Sequence, residues 1–364
     1  MAFLKKCATL ASMFITGLGT AAPPRRYTQL QCWEALAASK QFARLTTRSR
    51  AILKKVLAGK NGIVSRRLAL DPLTEAFDIS PDVLHARFTR HAPVLAEQAA
   101  RRALTEAGTA VNQIDALLIS TCTGYLCPGL TSYVGERLGL RADLMALDLV
   151  GQGCGAALPN LGTAASLLRS GQAQHVLSIC VEVCSAAFFL DDDPGVLISA
   201  CLFGDGAAAA VLCETPHPSG RKVQWKTSGS ILSPQERDFL RFESKGGMLR
   251  NVLSPCVPML AARHARNVFD QVSARCGVKQ EEISGWVLHA GGRDVLNALC
   301  ESFSLGPEDV RASSRILEEF GNLSSPFVLF ALQSALASGV RGGQWWCCSF
   351  GAGFSCHGAL LEVA

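Results

Sequence analysis

The chain is poor in charge. Lys, Arg, Asp and Glu make up 18% of its 364 residues, and the net charge is only +5. Its 35 Lys and Arg form no dense run, which argues against nucleic acid as a partner. A modest attraction for anionic small ligands is still compatible with that balance. No run beyond the N-terminus approaches the ~20 apolar residues of a membrane span. Metal-ligand spacing is also missing. "CTGYLC" is not CxxC, and no paired CxxC or HxxxH pattern occurs, so no metal site is expected.

Hydrophobic residues are abundant, at 49%, enough for one large core or two fused ones. Cysteine is abundant too, at 15. These cysteines sit mostly inside apolar runs such as "LLISTC", "VLSIC" and "QWWCCSF", not at framework spacings. Free Cys behaves there as a small hydrophobe, which points to a reducing, cytoplasmic setting. The N-terminal "MAFLKKCATLASMFITGLG" has the basic start and apolar stretch of a secretory signal. Ser12, Thr16 and Gly17 interrupt it, however, and "ASMFITGLGTAAPP" reads better as a first strand ending in a Gly/Pro turn.

Residues from about 30 to 60 read as helical and basic. "SPDVLHARFTRHAPVLAEQAARRALTEAG" predicts a long amphipathic helix closed by Gly108. Short apolar runs, "IDALLIST", "LMALDLV" and "HVLSICVE", then alternate with helical stretches. This alternation predicts an α/β fold with strands buried on both faces. Residues 214 to 258 read as turn-rich and irregular, and a second α/β series starts near 259.

The two series look like copies. Overlaying Cys154 on Asn322 keeps the register in both directions. Thr121 to Cys154 and His289 to Asn322 are both 33 residues, and Cys154 to Gly171 and Asn322 to Gly339 are both 17. Three markers aligned without a gap indicate internal duplication. Two halves are expected, 1–225 and 226–364, packed so that Cys154, His289 and Asn322 converge in the crevice between them. Ligand sites of α/β sheets usually lie there, beyond strand C-termini.

Cys154 lies in "LDLVGQGCGAALPNLG", where a strand should end and a helix begin. The helix N-terminus favours a thiolate and should lower the thiol pKa. The flanking glycines let a substrate approach. Pro159 fits the first helical turn. His289 ends the apolar run of "GWVLHAGG". Asn322, in "EEFGNLSSP", is a helix cap on the ordinary view. Beside a Cys nucleophile, His and Asn can instead donate hydrogen bonds to a thioester carbonyl, and His can pair with the thiolate.

At these residues the chain resembles the thiolase superfamily, and within it the chalcone synthase-like type III polyketide synthases. The resemblance runs from "ITGLGTAAPP" to the C-terminus. Its pieces are "GQGCGAALPNL", "LFGDGAAAAVL", "HAGG", "GNLSSP" and "SFGAGFSCHGALL". It implies a duplicated, layered α-β-α-β-α fold, a homodimer and a Cys154–His289–Asn322 triad. It further implies that acyl-CoA and malonyl-CoA are the substrates and that no cofactor is needed. Phe203 matches a gatekeeper aromatic. The second gatekeeper of the plant enzymes falls at Asn251 or a neighbour, so that aromatic is expected to be absent. Plant cavity threonines appear as Cys184 and Ala187. Cys127 stands where plant enzymes carry a Met reaching into the partner subunit. These small residues imply a roomier pocket, suited to a long aliphatic starter and to an alkylpyrone or alkylresorcinol product. Lys55 and Lys60 fall where the family keeps its CoA-contacting cations.

Alternatives from other classes stay open on the sequence. They are a ketoacyl-carrier-protein synthase, a hydroxymethylglutaryl-CoA-type synthase using Glu182 as base, a chalcone-type enzyme with an aromatic starter, and a non-catalytic acyl-binding protein.

Overall fold

The structure is a computed structural model that describes residues 13–216 and 222–364. The basic, apolar stretch at 1–12, where a signal segment would begin, lies outside the described residues.

The chain opens with β1 (Met13–Ala21), β2 (Arg26–Thr28), and helices α1 (Gln29–Ala37), α2 (Lys40–Ala43) and α3 (Thr47–Leu57). Next come β3 (Ser65–Arg67), α4 (Pro81–Ala107), β4 (Ala116–Thr121), α5 (Leu130–Leu138) and β5 (Met145–Val150). The first half closes with α6 (Ala157–Arg169), β6 (His175–Glu182), α7 (Pro194–Leu202) and β7 (Gly206–Cys213). The second holds β8 (Val223–Arg237), the hairpin β9 (Leu240–Lys245) and β10 (Met248–Leu253), then α8 (Val257–Cys276) and β11 (Ile283–Leu288). It ends with α9 (Arg293–Phe303), α10 (Arg311–Phe320), α11 (Phe327–Ala337), β12 (Gly343–Gly351) and β13 (Gly353–Val363).

The long helix forms as its sequence dictates. The Ser80 side chain accepts from Val83 N, Pro81 occupies the first turn, and Gly108 ends the helix at φ 61°. Its alanine-rich inner face (Ala92, Ala96, Ala99, Ala100, Ala103) is fully buried against the sheet.

Nine strands form one sheet in the order β11-β12-β13-β8-β1-β7-β6-β4-β5. The duplication is written in its pairing. In the first half β1–β7 and β7–β6 are antiparallel and β6–β4 is parallel. In the second, β8–β13 and β13–β12 are antiparallel and β12–β11 is parallel. The halves join where Met13–Ile15 of β1 pair with Val223–Trp225 of β8.

The layers follow from which helix covers which face. α4 lies on β1, β7 and β6, and α8 lies on β13, β8 and β12. Between the half-sheets, α6 touches β6 and β4 on one side and β12 and β13 on the other, while α11 touches β11 and β12 as well as β1 and β7. The order is therefore α-β-α-β-α, with α6 and α11 as the shared middle layer. Burial of α11 from Phe327 to Leu332 explains its near-continuous apolar sequence, whereas α6 keeps Ser166 and Arg169 exposed.

Residues 214–258 are more regular than the sequence suggests. β8 is 15 residues long and runs through position 225, and β9–β10 is a regular hairpin. The β8 sequence "VQWKTSGSILSPQER" loses apolar alternation after Trp225. Pairing with β13 makes the strand, and a single-sequence pattern cannot register that.

Candidate active site

Cys154 sits in a tight turn between β5 and α6. Gly151 and Gly153 hold φ of 83° and 55°, a region glycine enters at little cost. A short 3₁₀ turn over Gly153–Gly155 delivers the chain into α6, with Pro159 in the first turn. The C-terminal motif wraps this turn. A Cβ on Gly351 would lie 2.3 Å from Gln152 O and 3.2 Å from Cys154 N, so only glycine fits. Ser349 Oγ donates to Gly155 O at 3.1 Å.

His289 follows β11, its N–H donating to Cys348 O at 2.8 Å. Its ring stands edge-on to Phe327 and Phe350, with centroids 5.1 and 5.0 Å away. Phe350 immediately precedes Gly351, so His289 and the Cys154 turn abut the same end of β12. Both His289 ring nitrogens are buried without a hydrogen-bond partner. Such orphaned groups are costly and call for a ligand.

Asn322 is fixed at both ends of its amide. Its Oδ1 accepts from Ser324 N at 2.8 Å, and its Nδ2 donates to Gly291 O at 3.1 Å. One Nδ2 hydrogen is left over. Its backbone bridges Phe203, joining the end of α7 to the loop before α11.

The titration behaviour departs from the sequence expectation. Burial pushes the Cys154 thiol up to about 12, and the Glu182 charge adds to this against a hydrogen bond from Ser324. Burial lowers His289 to about 3. Desolvation disfavours the charged form of each group, and no hydrogen bond joins them.

Glu182 lies fully buried at the end of β6. Its Oε2 accepts from Thr121 Oγ1, Cys122 N and Thr123 Oγ1 at 3.2, 3.0 and 2.9 Å. Its Oε1 accepts from Cys122 Sγ, Ser324 Oγ and Ser325 Oγ at 3.3, 3.3 and 2.6 Å. Burial raises its pKa against these donors. The carboxylate ties the end of β4 to the loop carrying Asn322. Committed on both oxygens, it is a poorly placed external base.

The pattern of chalcone and stilbene synthases matches residues 8–216 for the N-terminal domain and 240–362 for the C-terminal domain. This chain belongs to that family. It is a type III polyketide synthase, an acyltransferase of the decarboxylating Claisen kind acting on CoA thioesters. Among curated relatives, it is 28% identical to a 3,5-dihydroxyphenylacetyl-CoA synthase of Streptomyces toyocaensis over 91% of this chain and 85% of that one. It is 29% identical to the alpha-pyrone synthesis polyketide synthase-like Pks18 of Mycobacterium tuberculosis, over 84% and 80%. Among solved structures, PKS-I of the brown alga Ectocarpus siliculosus superposes with a TM-score of 0.88 at 25% identity, covering 99% of this chain and all of that one. A fungal type III polyketide synthase, ORAS, gives 0.82 at 26%, over 97% and 100%.

Within this synthase, Cys184, Ala187, Phe203 and Asn251 all line one narrow cavity of about 60 Å³. Ser324 and Thr123 bring it to the Cys154 turn. From there its walls run through Phe188 and Leu68 to Leu36, Leu53 and Leu57 of the N-terminal helices. The expected missing aromatic is borne by a buried Asn251.

A second, wider cavity is lined by Cys122, Gly153 and Ala352, and shares Thr123 and Phe242 with the first. Phe242, on β9, was not singled out by sequence. No local signal marks it, because only the hairpin places it there. Arg250 anchors that hairpin through Asp191, Glu243 and Asp193 at 2.8, 2.7 and 3.1 Å. The Glu182 cluster was missed as a unit, although Ser324 and Ser325 belong to the "GNLSSP" motif.

Six expected residues are not among the lining of these cavities: Cys154, His289 and Asn322, whose neighbours Gly153 and Ser324 line them, and Cys127, Lys55 and Lys60. Cys127 is exposed and lines neither of them. Lys55 and Lys60 are exposed at the end of α3 and beyond. The Lys60 carbonyl accepts from Arg293, which places it beside the loop that follows His289.

Proposed function

We propose that this synthase loads a long-chain fatty acyl group from CoA onto Cys154, extends it with malonyl-CoA and cyclises it to an alkylpyrone or alkylresorcinol. The observation that carries the catalytic assignment is the pair of unpartnered His289 nitrogens, two residues before the Gly291 carbonyl that holds the Asn322 amide, which keeps one N–H to spare. Both suit a thioester carbonyl that gathers negative charge.

The chain's own residues perform the following steps. The Cys154 thiol attacks the acyl-CoA carbonyl, the bond to the CoA sulfur breaks, and the Cys154 proton ends on that sulfur as CoA leaves as its thiol. His289 Nε2 and Asn322 Nδ2 hold the malonyl thioester oxygen. The C–C bond to the carboxylate breaks, carbon dioxide departs, and the electron pair becomes an enolate held by those donors. The enolate carbon attacks the Cys154 thioester and expels the Cys154 thiolate, lengthening the chain by two carbons. Phe203 screens the passage, and Lys55 and Lys60 receive the CoA phosphates. The half 1–225 supplies the nucleophile, and 226–364 the two carbonyl donors.

The apolar walls around Cys184 and Ala187 support an aliphatic starter, and so does the likeness to a protein named for alpha-pyrone synthesis. β5 supports a homodimer. It is a sheet edge with Met145, Leu147 and Val150 exposed, and Tyr125 near Cys127 is 71% exposed. In a dimer, Cys127 would contribute to the partner's site. Free cysteines throughout the described residues suit a cytoplasmic setting, and no helix among them is long and apolar enough to cross a membrane.

The test is product analysis by mass spectrometry with acyl-CoA starters from four to eighteen carbons. Exclusive use of short or aromatic starters would overturn the starter assignment.

A further inference from the structure

Between Glu34 and Asp71 the sequence holds nine Lys and Arg and no Asp or Glu. The chain as a whole is only +5, so its remainder is net negative and this segment is a separate positive body. Lys40, Arg44, Arg48, Arg50, Lys54, Lys55 and Lys60 are all exposed. None has a carboxylate within ion-pair distance among the described residues. Asp192, the acid nearest the start of α3, is occupied by Thr46 and Ser49.

The face is tied to the site in two ways. The inward residues of α3, Leu53 and Leu57, line the acyl cavity. The Lys60 carbonyl is bound by Arg293 at the start of α9, just after His289.

In the function proposed above, Lys55 and Lys60 receive the CoA phosphates. The cations from Lys40 to Arg50 extend away from them, over α2 and the first turns of α3. An anionic membrane fits poorly. None of the large exposed apolar residues lies on α2 or α3, so nothing there would insert into lipid. A small acidic protein fits well, since it matches the charge and needs no apolar anchor.

We propose that this face docks an acidic acyl carrier protein, which presents the starter on the same phosphopantetheine arm that CoA carries. The inference rests on the acyl-starter function proposed above and names a second donor for it. Transfer is a thioester exchange. Cys154 sulfur bonds to the acyl carbon, the bond to pantetheine sulfur breaks, and the Cys154 proton passes to that sulfur, so the carrier leaves as its free thiol.

The experiment compares lauroyl-CoA with a purified acyl carrier protein bearing a lauroyl-phosphopantetheine, both supplied with malonyl-CoA. The carrier thioester should show the lower KM. Its kcat/KM should fall at least tenfold between 50 and 300 mM salt, since screening weakens charge-steered encounter. The double variant Arg44→Glu/Arg48→Glu should raise KM for the carrier thioester at least tenfold and leave that for lauroyl-CoA within twofold.

Three outcomes overturn the proposal. They are no transfer from the carrier, transfer insensitive to salt, and equal losses for both donors in the variant. Binding of the wild type, but not the variant, to anionic phospholipid vesicles without transfer from the carrier also overturns it, in favour of a membrane. If neither thioester loads Cys154, the starter assignment itself has failed. If lauroyl-CoA loads and the carrier does not, only the docking face has.

Discussion

Phe203 and Asn322 are joined by their backbones: Asn322 N donates to Leu202 O and Gly204 N donates to Asn322 O, both at 2.9 Å. The backbone positions of Phe203 and Asn322 are therefore fixed to one another. The two come from different halves, so the bridge also stitches the halves together beside the site.

Asn322→Ala should cut malonyl-CoA decarboxylation by about 10²–10³, the usual cost of one oxyanion donor. It also strands Ser324 N, adding about 1–3 kcal/mol of destabilisation. Asn322→Asp keeps that acceptor but offers no N–H. It should lose decarboxylation to a similar degree with a smaller fall in Tm. Carbon dioxide release and calorimetry on both variants separate the roles, and decarboxylation at the wild-type rate in either one removes Asn322 from the mechanism.

Cys154→Ala should abolish acyl loading, read as the absence of an acyl adduct by intact-protein mass spectrometry. Cys154→Gln, whose amide mimics a thioester carbonyl, should still decarboxylate malonyl-CoA without forming product. In the free enzyme the buried thiol is raised to about 12, so alkylation by iodoacetamide should keep rising with pH beyond 9. A plateau below pH 7 would show that a thiolate–imidazolium pair pre-exists.

His289 is held neutral by burial, at about 3 against an ordinary 6.5. As pH falls, the unfolded chain takes up this proton before the folded one does. The associated stability is complete above about pH 6.5 and is lost as pH falls toward 3. It amounts to a few kcal/mol, as an order of magnitude. His357, lowered to about 4 for the same reason, acts in the same direction. In urea unfolding between pH 7 and pH 4, His289→Gln should show a shallower loss of stability than the wild type. Equal slopes would mean that His289 is not buried neutral.

Ala187 and Asn251 both line the cavity proposed to take the acyl chain. Each further buried CH₂ of a starter gains up to ~0.8 kcal/mol. Eight of them give roughly 6 kcal/mol, which ordering costs could halve. kcat/KM should therefore rise about 10²-fold from a four-carbon to a twelve-carbon acyl-CoA. Ala187→Trp or Asn251→Phe should reverse that preference while acyl loading of short starters persists. Unchanged chain-length preference in both would place the acyl chain elsewhere.

Leu147 projects, exposed, from the edge strand β5. Leu147→Lys should convert a dimer to a monomer in analytical ultracentrifugation, with little change in helix content. A wild-type chain that sediments as a monomer rules out the subunit contact.

The sequence by itself determined the elements and their chemistry. The capped helix over residues 81–107, the equal spacings around Cys154 and Asn322, and the motifs at Phe203 and His289 each depend on a few neighbouring residues. Local propensity and periodicity express them. β8 and Phe242 were decided only by tertiary structure, because their surroundings come from β13 and from a hairpin anchored by Arg250. The state of Cys154 was decided there too. Its place near a helix N-terminus predicts a lowered thiol pKa, yet burial and the Glu182 charge raise it. Desolvation and the field of remote charges depend on what the whole fold brings around a residue. No stretch of sequence around Cys154 contains Glu182, Ser324 or Gly351, and these three set the conditions in which it works.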